Sequence, residues 1–376
     1  MSVEASTQQT QQVKSHNPLL LNIDVSKKVR GGFDESLVEE LPSTTRARFE
    51  RHGVDLSKGY PEKPPSDQIP LYVDDAFKIR DKPQEYIPRG KFADRSKKAL
   101  FSKAKEFKHL TKYIGTEIVG VQLSDLNEQE LDELALLIAE RVVVFFKDQD
   151  LSPQKQLELG AFFGNVEIHP QFQHVPGLPG TSVIWDAHFK KNGFKKTFKT
   201  AKTGTSNWHA DLTHELQPPS VTHLHLDAIP SIGGDTNWSS GYAAYDKLSP
   251  AFQKFLEGKV VTQKSMHGYL DRNDPLGGPK HVIREQPIIR TNPITGWKSL
   301  FVSNGASNLD IQVRFNWHSD TGSNLGTSAL WDNRIGQHNA TWDYEDEDRH
   351  GTRVSSLAEI PYFDPNSKSQ RESLGL

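Results

Sequence analysis

The chain has 376 residues, with 45 Lys and Arg against 48 Asp and Glu, 15 His, 2 Met and no Cys. The absence of cysteine excludes a disulfide scaffold, a thiolate metal site, an iron–sulfur cluster and a cysteine nucleophile, so any metal must rest on His, Asp or Glu. A formal net charge of −3 gives no global attraction to nucleic acid or an anionic membrane, and with neither a membrane-length apolar run nor a signal-peptide core, a soluble cytoplasmic protein is expected.

Residues 1–70 are polar and turn-rich, from the Ser/Gln/Thr opening to KGYPEKPPSDQIP, and sustain no period of 3.6 or 2. Such a stretch buries too little apolar surface to offset its ordering entropy, which predicts a poorly ordered arm or a strap over the main domain. The hydrophobic fraction of 35% and mean hydropathy of −0.62 agree with that reading. The basic segment 95–113 reads as a short cationic helix with a solvated face, and the packed domain is expected to begin near Leu110.

Asn127 stands three residues before Glu130, and Leu131, Leu134, Ala135 and Ile138 then follow helical spacing, which predicts a capped amphipathic helix. RVVVFF, residues 141–146, is a β-branched and aromatic run of strand length. Ser152 and Pro153 suit the N-cap and first position of a second helix running through Gly160. Short strand-like runs dominate afterwards: SVTHLHL, KSLFVS, IQVRFNW and SALW. Helices first and many strands later predict a mainly β fold, a barrel or sandwich with helical cover, and residues 364–376 read as a polar tail.

Between these elements, residues 188–204 carry six lysines interleaved with Phe189, Phe194 and Phe198. They read as an exposed loop, or as a mobile cationic lid that attracts an anionic substrate. Immediately after comes Trp208-His209-Ala210-Asp211. Along a strand His209 and Asp211 project to one face, an imidazole and a carboxylate able to share a divalent metal. A further His from a neighbouring strand would complete a two-His, one-carboxylate set that suits Fe(II) and leaves three coordination positions open. His223 and His225 also share a strand face and compete as a metal pair, and His214 lies close behind Asp211. Residue types alone rank His209 and Asp211 only modestly higher.

The segments KYIGTEIVGVQL (112–123), ERVVVFFKDQDLSPQKQLELGAFFG (140–164), IHP (168–170), NWHADLTHELQPPS (207–220), IPSIGGDTNWSSGYAAYDKLSP (229–250), IIRTNPITGWKSLFV (288–302) and ALWDNRIGQHNATWDY (329–344) occur in this order. Together they resemble the Fe(II)- and 2-oxoglutarate-dependent dioxygenases of the taurine dioxygenase family, most nearly its fungal sulfonate dioxygenases. The resemblance implies a double-stranded β-helix, or jelly roll, over residues 71–363. It implies His209, Asp211 and His338 as iron ligands, with Thr236 and Arg349 holding the distal carboxylate of 2-oxoglutarate. It implies His169 and Arg353 as contacts for the anionic head of a small substrate. A guanidinium that grips a carboxylate in two places, helped by a hydroxyl, suits the second role.

The resemblance further implies the cofactor Fe(II), the co-substrates 2-oxoglutarate and O2, and hydroxylation of an alkyl sulfonate or alkyl sulfate at the carbon bearing the anionic group. An aldehyde, sulfite or sulfate, succinate and CO2 result. Partners are then small anions, with neither nucleic acid nor membrane, and with room for a homo-oligomer. Thr205 stands where taurine-specific relatives carry an amide, and Phe172 where they carry a hydroxylated aromatic, which points away from taurine itself. After KSLFVSNGASN a connecting helix is missing and Ala306 replaces a pocket aromatic, while HSDTGSNLGTS (318–328) is longer than the usual turn. That loss opens two alternatives: an impaired homologue that binds metal or 2-oxoglutarate without turnover, and a dioxygenase for another small organic anion.

Overall fold

A computed structural model of the protein describes residues 32–65, 69, 71–73, 82–169, 171–191, 208–274, 276–303, 312–344 and 346–376. Its regular structure begins inside the stretch that composition marks as an arm, with β1 (Phe33–Asp34), α1 (Glu35–Glu40), α2 (Ser43–Arg51) and β2 (Tyr60–Pro61). Asp34 caps α1 by accepting from the Ser36 N–H at 2.8 Å. The few apolar residues of this polar stretch are well placed: Leu37, Leu41, Phe49, Val54 and Tyr60 are buried in one cluster with Val175, Val183 and Trp185. The expected poor order therefore does not extend to residues 33–61, because a handful of large side chains and one buried ion pair, described below, hold them down. Residues 1–31 lie outside the described residues.

In the basic segment only α3 (Lys98–Lys103) is helical, and β3 (Glu106–His109) and β4 (Thr116–Val119) follow it. The capped helix forms as α4 (Glu128–Arg141), with the Asn127 and Glu130 side chains each bonding the other's backbone N–H. The apolar run becomes β5 (Val143–Gln149), and α5 (Pro153–Phe163) starts at the Ser152 cap and extends one turn beyond Gly160. Next come β6 (Ser182–Trp185), α6 (Ala187–Lys191), β7 (Pro219–Ala228), β8 (Thr236–Ser240), α7 (Gly241–Asp246) and α8 (Pro250–Leu256). The remaining elements are β9 (Val260–Tyr269), β10 (Lys280–Pro287), β11 (Ile289–Thr291), β12 (Lys298–Leu300), β13 (Gln312–Phe315), β14 (Gly326–Asp332), β15 (Gly336–Ala340), β16 (His350–Leu357) and α9 (Gln370–Leu374). The expected C-terminal tail thus contains a short helix, capped by Ser369 and Glu372.

Seven strands form one sheet in the order β3-β4-β5-β14-β7-β16-β6, antiparallel except for β4 beside β5, and three form a second in the order β13-β8-β15. The two face each other as a jelly roll. β5 shows why its sequence is apolar at four consecutive positions, Val143 to Phe146. Val143 and Phe145 face inward with Trp238, Phe315 and Trp331, while Val144 and Phe146 face outward against Leu134 and Ile138 of α4 and Leu159 of α5. A central strand covered on both sides has no polar face to show. Phe145 stacks on Phe315 with ring centres 3.6 Å apart, tying the sheets together. α5 lies close on β16 because Gly160 has no Cβ; one placed there would stand 2.2 Å from Val354 Cγ1. Among the described residues no helix is long and apolar enough to cross a membrane.

Candidate metal centre and anion site

His209 and His338 come from segments 129 positions apart, and a β-bridge joins them: the His338 N–H donates to the His209 carbonyl at 2.9 Å, and the His209 N–H donates back at 3.2 Å. Their ring centres are 4.3 Å apart. Asp211 lies two residues beyond His209, its Oδ1 3.4 Å from His209 Nε2. One ligand atom from each of the three side chains falls within 4.8 Å of the others, the only such group of metal-capable donors among the described residues.

The backbone of Asp211 is clamped by Asn333, which donates to its carbonyl and accepts from its N–H, both at 3.0 Å. Asn333 sits in the turn between β14 and β15, so the turn that delivers His338 also fixes Asp211. Sequence reasoning did not single out Asn333, although the Trp-Asp-Asn-Arg run containing it is part of the recognised pattern.

The electrostatics favour a divalent cation. Burial pushes the Asp211 carboxyl up, but the Arg353 charge, the His209 hydrogen bond and His338 outweigh it and hold the group well below the usual carboxylate range. Burial, with the nearby His209, brings the His338 imidazole down to about 3, although Asp211 opposes the shift. An ionised carboxylate beside a neutral imidazole is the state in which both bind metal. The donor set of two nitrogens and one oxygen fits Fe(II) with an open face.

His223 and His225 are placed away from this centre. On β7, Leu224 and Leu226 face the inner core, so the histidines between them face outward. There His223 Nε2 and His225 Nδ1 both meet Ser328 Oγ, at 3.0 and 2.9 Å. Burial followed by the Arg48 charge lowers both pKa values, that of His223 to about 3. They are neutral histidines of the core, each held through one ring nitrogen by Ser328, while His223 Nδ1 and His225 Nε2 are buried without a hydrogen-bond partner among the described residues.

Thr236 and His338 lie on neighbouring strands and on one face. Thr236 pairs with Ala340 and Trp238 with His338, so Thr236 is one diagonal step from His338. Its hydroxyl accepts from Trp317 Nε1 at 3.3 Å. Arg349, buried just ahead of β16, packs over that same Trp317 ring at 5.9 Å. Its Nε donates to the Gly234 carbonyl at 3.2 Å, and among the described residues no acceptor takes its two terminal nitrogens. A buried guanidinium with its forked end uncommitted, beside a hydroxyl, fits a carboxylate.

Arg353 lies directly opposite Leu224 in the sheet and so faces inward; its Nη1 is 3.3 Å from Asp211 Oδ2. This ion pair was not anticipated from sequence. His169 is buried, with its ring 4.9 Å from Phe172, and Arg353 Cζ lies 5.0 Å from the centre of the same Phe172 ring. Arg353, Phe172 and His169 thus line one wall beside the metal set. Thr205, Ala306 and most of the lysine-rich loop, residues 192–204, lie outside the described residues, as does the shortened stretch at 304–311.

A two-sheet jelly roll carrying this donor set and a buried guanidinium defines a non-haem iron oxygenase of the 2-oxoglutarate class. Residues 106–313 match the family described as "Taurine catabolism dioxygenase TauD, TfdA family". An alpha-ketoglutarate-dependent sulfonate dioxygenase of Saccharomyces cerevisiae is 31% identical over 74% of this chain and 74% of its own. An alkylsulfatase of Acinetobacter baylyi is 27% identical over 68% of this chain and 86% of its own. The crystal structure of a taurine dioxygenase from Burkholderia xenovorans superposes with a TM-score of 0.54 at 28% identity, covering 70% of this chain and 92% of that one. The chain belongs to the TauD/TfdA family and is a dioxygenase that depends on Fe(II), 2-oxoglutarate and O2.

Proposed function

We propose that the protein hydroxylates an alkyl sulfonate or alkyl sulfate at the carbon bearing the anionic group. The observation that carries this reading is the placement of Arg353: an inward-facing cation 3.3 Å from Asp211, on the wall shared with His169 and Phe172. An anion gripped there has its first carbon beside the metal set, and reaction position follows from distance to the anchor. The sulfonate and sulfate substrates named for the yeast and bacterial relatives support the same class.

In this reading His209, Asp211 and His338 would hold the iron, and Arg349 with Thr236 would hold the far carboxylate of 2-oxoglutarate. When bound, Fe(II) with 2-oxoglutarate and O2 supplies the oxidising power, consuming the keto acid as succinate and CO2. The protein's residues bind, orient and exclude water. Trp317, Trp238 and Phe315 close the inner wall behind Thr236, and Asn333 fixes the backbone from which the Asp211 carboxylate projects. The hydroxylated product carries OH and the anionic group on one carbon. It loses the hydroxyl proton and the carbon–sulfur or carbon–oxygen bond together, giving the aldehyde and bisulfite or hydrogen sulfate.

The test is an anaerobic titration of the protein with Fe(II) and 2-oxoglutarate, watched for the metal-to-ligand charge-transfer band, followed by oxygenation with a panel of alkyl sulfonates and alkyl sulfates. A band and substrate-stimulated succinate with matching aldehyde release are expected. A band with no stimulation by any panel member would overturn this reading in favour of another substrate or of a homologue that binds metal and 2-oxoglutarate without turnover.

A further inference from the structure

Lys63 follows β2 and lies ahead of the 106–313 span that matches the family. Its Nζ is 4.3 Å from the centre of the Phe189 ring on α6 and 5.0 Å from that of Phe172. Arg353 Cζ is also 5.0 Å from the Phe172 ring centre, so the two cations are at most twice that distance apart. On the same wall His169 meets Phe172, and His267 of β9 meets His169 with ring centres 5.8 Å apart. The segment after β2, the loop carrying His169 and Phe172, α6, β9 and β16 therefore converge here.

The position of Lys63 is built into the fold. Just before it, Tyr60 is buried and its hydroxyl meets His350 Nε2 at 2.8 Å. That contact pins the segment to the start of β16, the strand that carries Arg353. Lys63 itself is half-buried, and burial with the Arg353 charge brings its pKa down to about 8. Lys63 and Arg353 bring two cations to the Phe172 ring, so the potential at this wall draws an anionic head group that reaches both.

We propose that Lys63 is a specificity-determining residue of the substrate site, its ammonium joining Arg353 and His169 in holding the anionic head group. The inference rests on the anionic-substrate reading above and deepens it. A planar guanidinium satisfies two oxygens side by side, which is all a carboxylate has. A sulfonate or sulfate ester presents a third oxygen out of that plane, and a compact ammonium on a flexible stem can reach it. Lys63 thereby favours head groups with three oxygens over carboxylates.

The experiment is anaerobic titration calorimetry of the enzyme loaded with Fe(II) and 2-oxoglutarate, using hexanesulfonate and its carboxylate counterpart heptanoate, on wild type, Lys63→Met and Lys63→Arg. Lys63→Met should weaken hexanesulfonate binding roughly tenfold, the cost of one charged hydrogen bond, with far less effect on heptanoate and none on 2-oxoglutarate. Lys63→Arg should restore most of the loss. If Lys63→Met binds hexanesulfonate like wild type, Lys63 is no substrate ligand, whereas the sulfonate reading stands. Equal losses for hexanesulfonate, heptanoate and 2-oxoglutarate would make Lys63 a prop for Phe172 and Phe189 and overturn the proposal. Wild type that takes up 2-oxoglutarate but neither hexanesulfonate nor hexyl sulfate overturns the substrate class and the role of Lys63 with it.

Discussion

Arg349 and Arg353 differ in surroundings although only four residues separate them. Arg349 is buried over Trp317 beside Thr236, whereas Arg353 reaches Asp211 and Phe172. Their substitutions should separate cleanly. Arg349→Gln is expected to weaken 2-oxoglutarate binding by roughly 30- to 100-fold, the cost of a bidentate charged contact, read as the midpoint of the charge-transfer titration. Arg353→Gln should leave that midpoint nearly unchanged and raise the KM for hexanesulfonate by a similar factor. The opposite pattern would exchange the two assignments. Asp211→Asn should abolish the band, since a neutral amide replaces the one anionic donor in the set. At this scale the sequence is partly legible: the spacing of His209 and Asp211 offers a metal pair, and the family pattern ranks it above His223 and His225. His338 carries no local mark: in the sequence it enters through the family pattern, and the bridge between its strand and His209 is what brings it beside the pair in space. His223 and His225 have the same spacing and the opposite fate. The difference is which face of a strand meets the inner core, a property of the sheet and not of the residues.

Among the elements, α4, β5 and α5 are legible because their signals are local: the Asn127 and Glu130 cap, an unbroken apolar run, and Ser152 before Pro153. The N-terminal helices are not, because what holds them lies far along the chain. α2 carries Arg48 into the outer face of the main sheet, where it pairs with Asp227 at 2.7 Å and donates to the Leu151 carbonyl at 2.8 Å. Asp227 also accepts from Thr45, and its Oδ1 meets His350 Nδ1 at 2.7 Å, completing a buried network from α2 to β16. Removing one member of such a pair strands a buried charge. Arg48→Ala should therefore cost about 3–5 kcal/mol in urea unfolding, several times the roughly 1 kcal/mol expected for Asn127→Ala at the α4 cap. If the two variants lost equal stability, the network would be no more than a surface-like tether. Because β2 and Lys63 follow α2, Arg48→Ala should also weaken hexanesulfonate binding.

For the molecule as a whole, burial of titratable groups sets the acid limit of stability. Burial depresses the imidazoles of His174 to about 4 and of His188 and His223 to about 3. For a histidine whose native pKa lies below its unfolded value, the unfolded state takes up protons first, so stability is lost as pH falls from about 6.5 towards the native pKa. Each such histidine costs up to about 1.4 kcal/mol per pH unit in that window. Asp227 adds a second step: burial raises its pKa, but His350 and Arg48 hold it below the ordinary carboxylate value, so its contribution is lost only below about pH 4. The unfolding free energy of the metal-free protein, read by urea titration, should accordingly fall by roughly several kcal/mol between pH 7 and pH 5, and an unchanged urea midpoint would mean that these histidines are open to water in the native state.

The sequence by itself determined the chemistry that is allowed and the elements that are local. With no cysteine, a metal had to take His or carboxylate ligands, and period, caps and apolar runs placed α4, β5 and α5. Those signals act within a few residues, so they are written where they act. The tertiary structure decided everything that depends on which distant strands meet. It set His338 against His209, turned His223 and His225 outward, drew Arg353 to Asp211, and folded a polar N-terminal stretch onto the barrel until Lys63 faced the Phe172 wall. Register and facing are collective properties of a closed pair of sheets, and no short window of the chain encodes them.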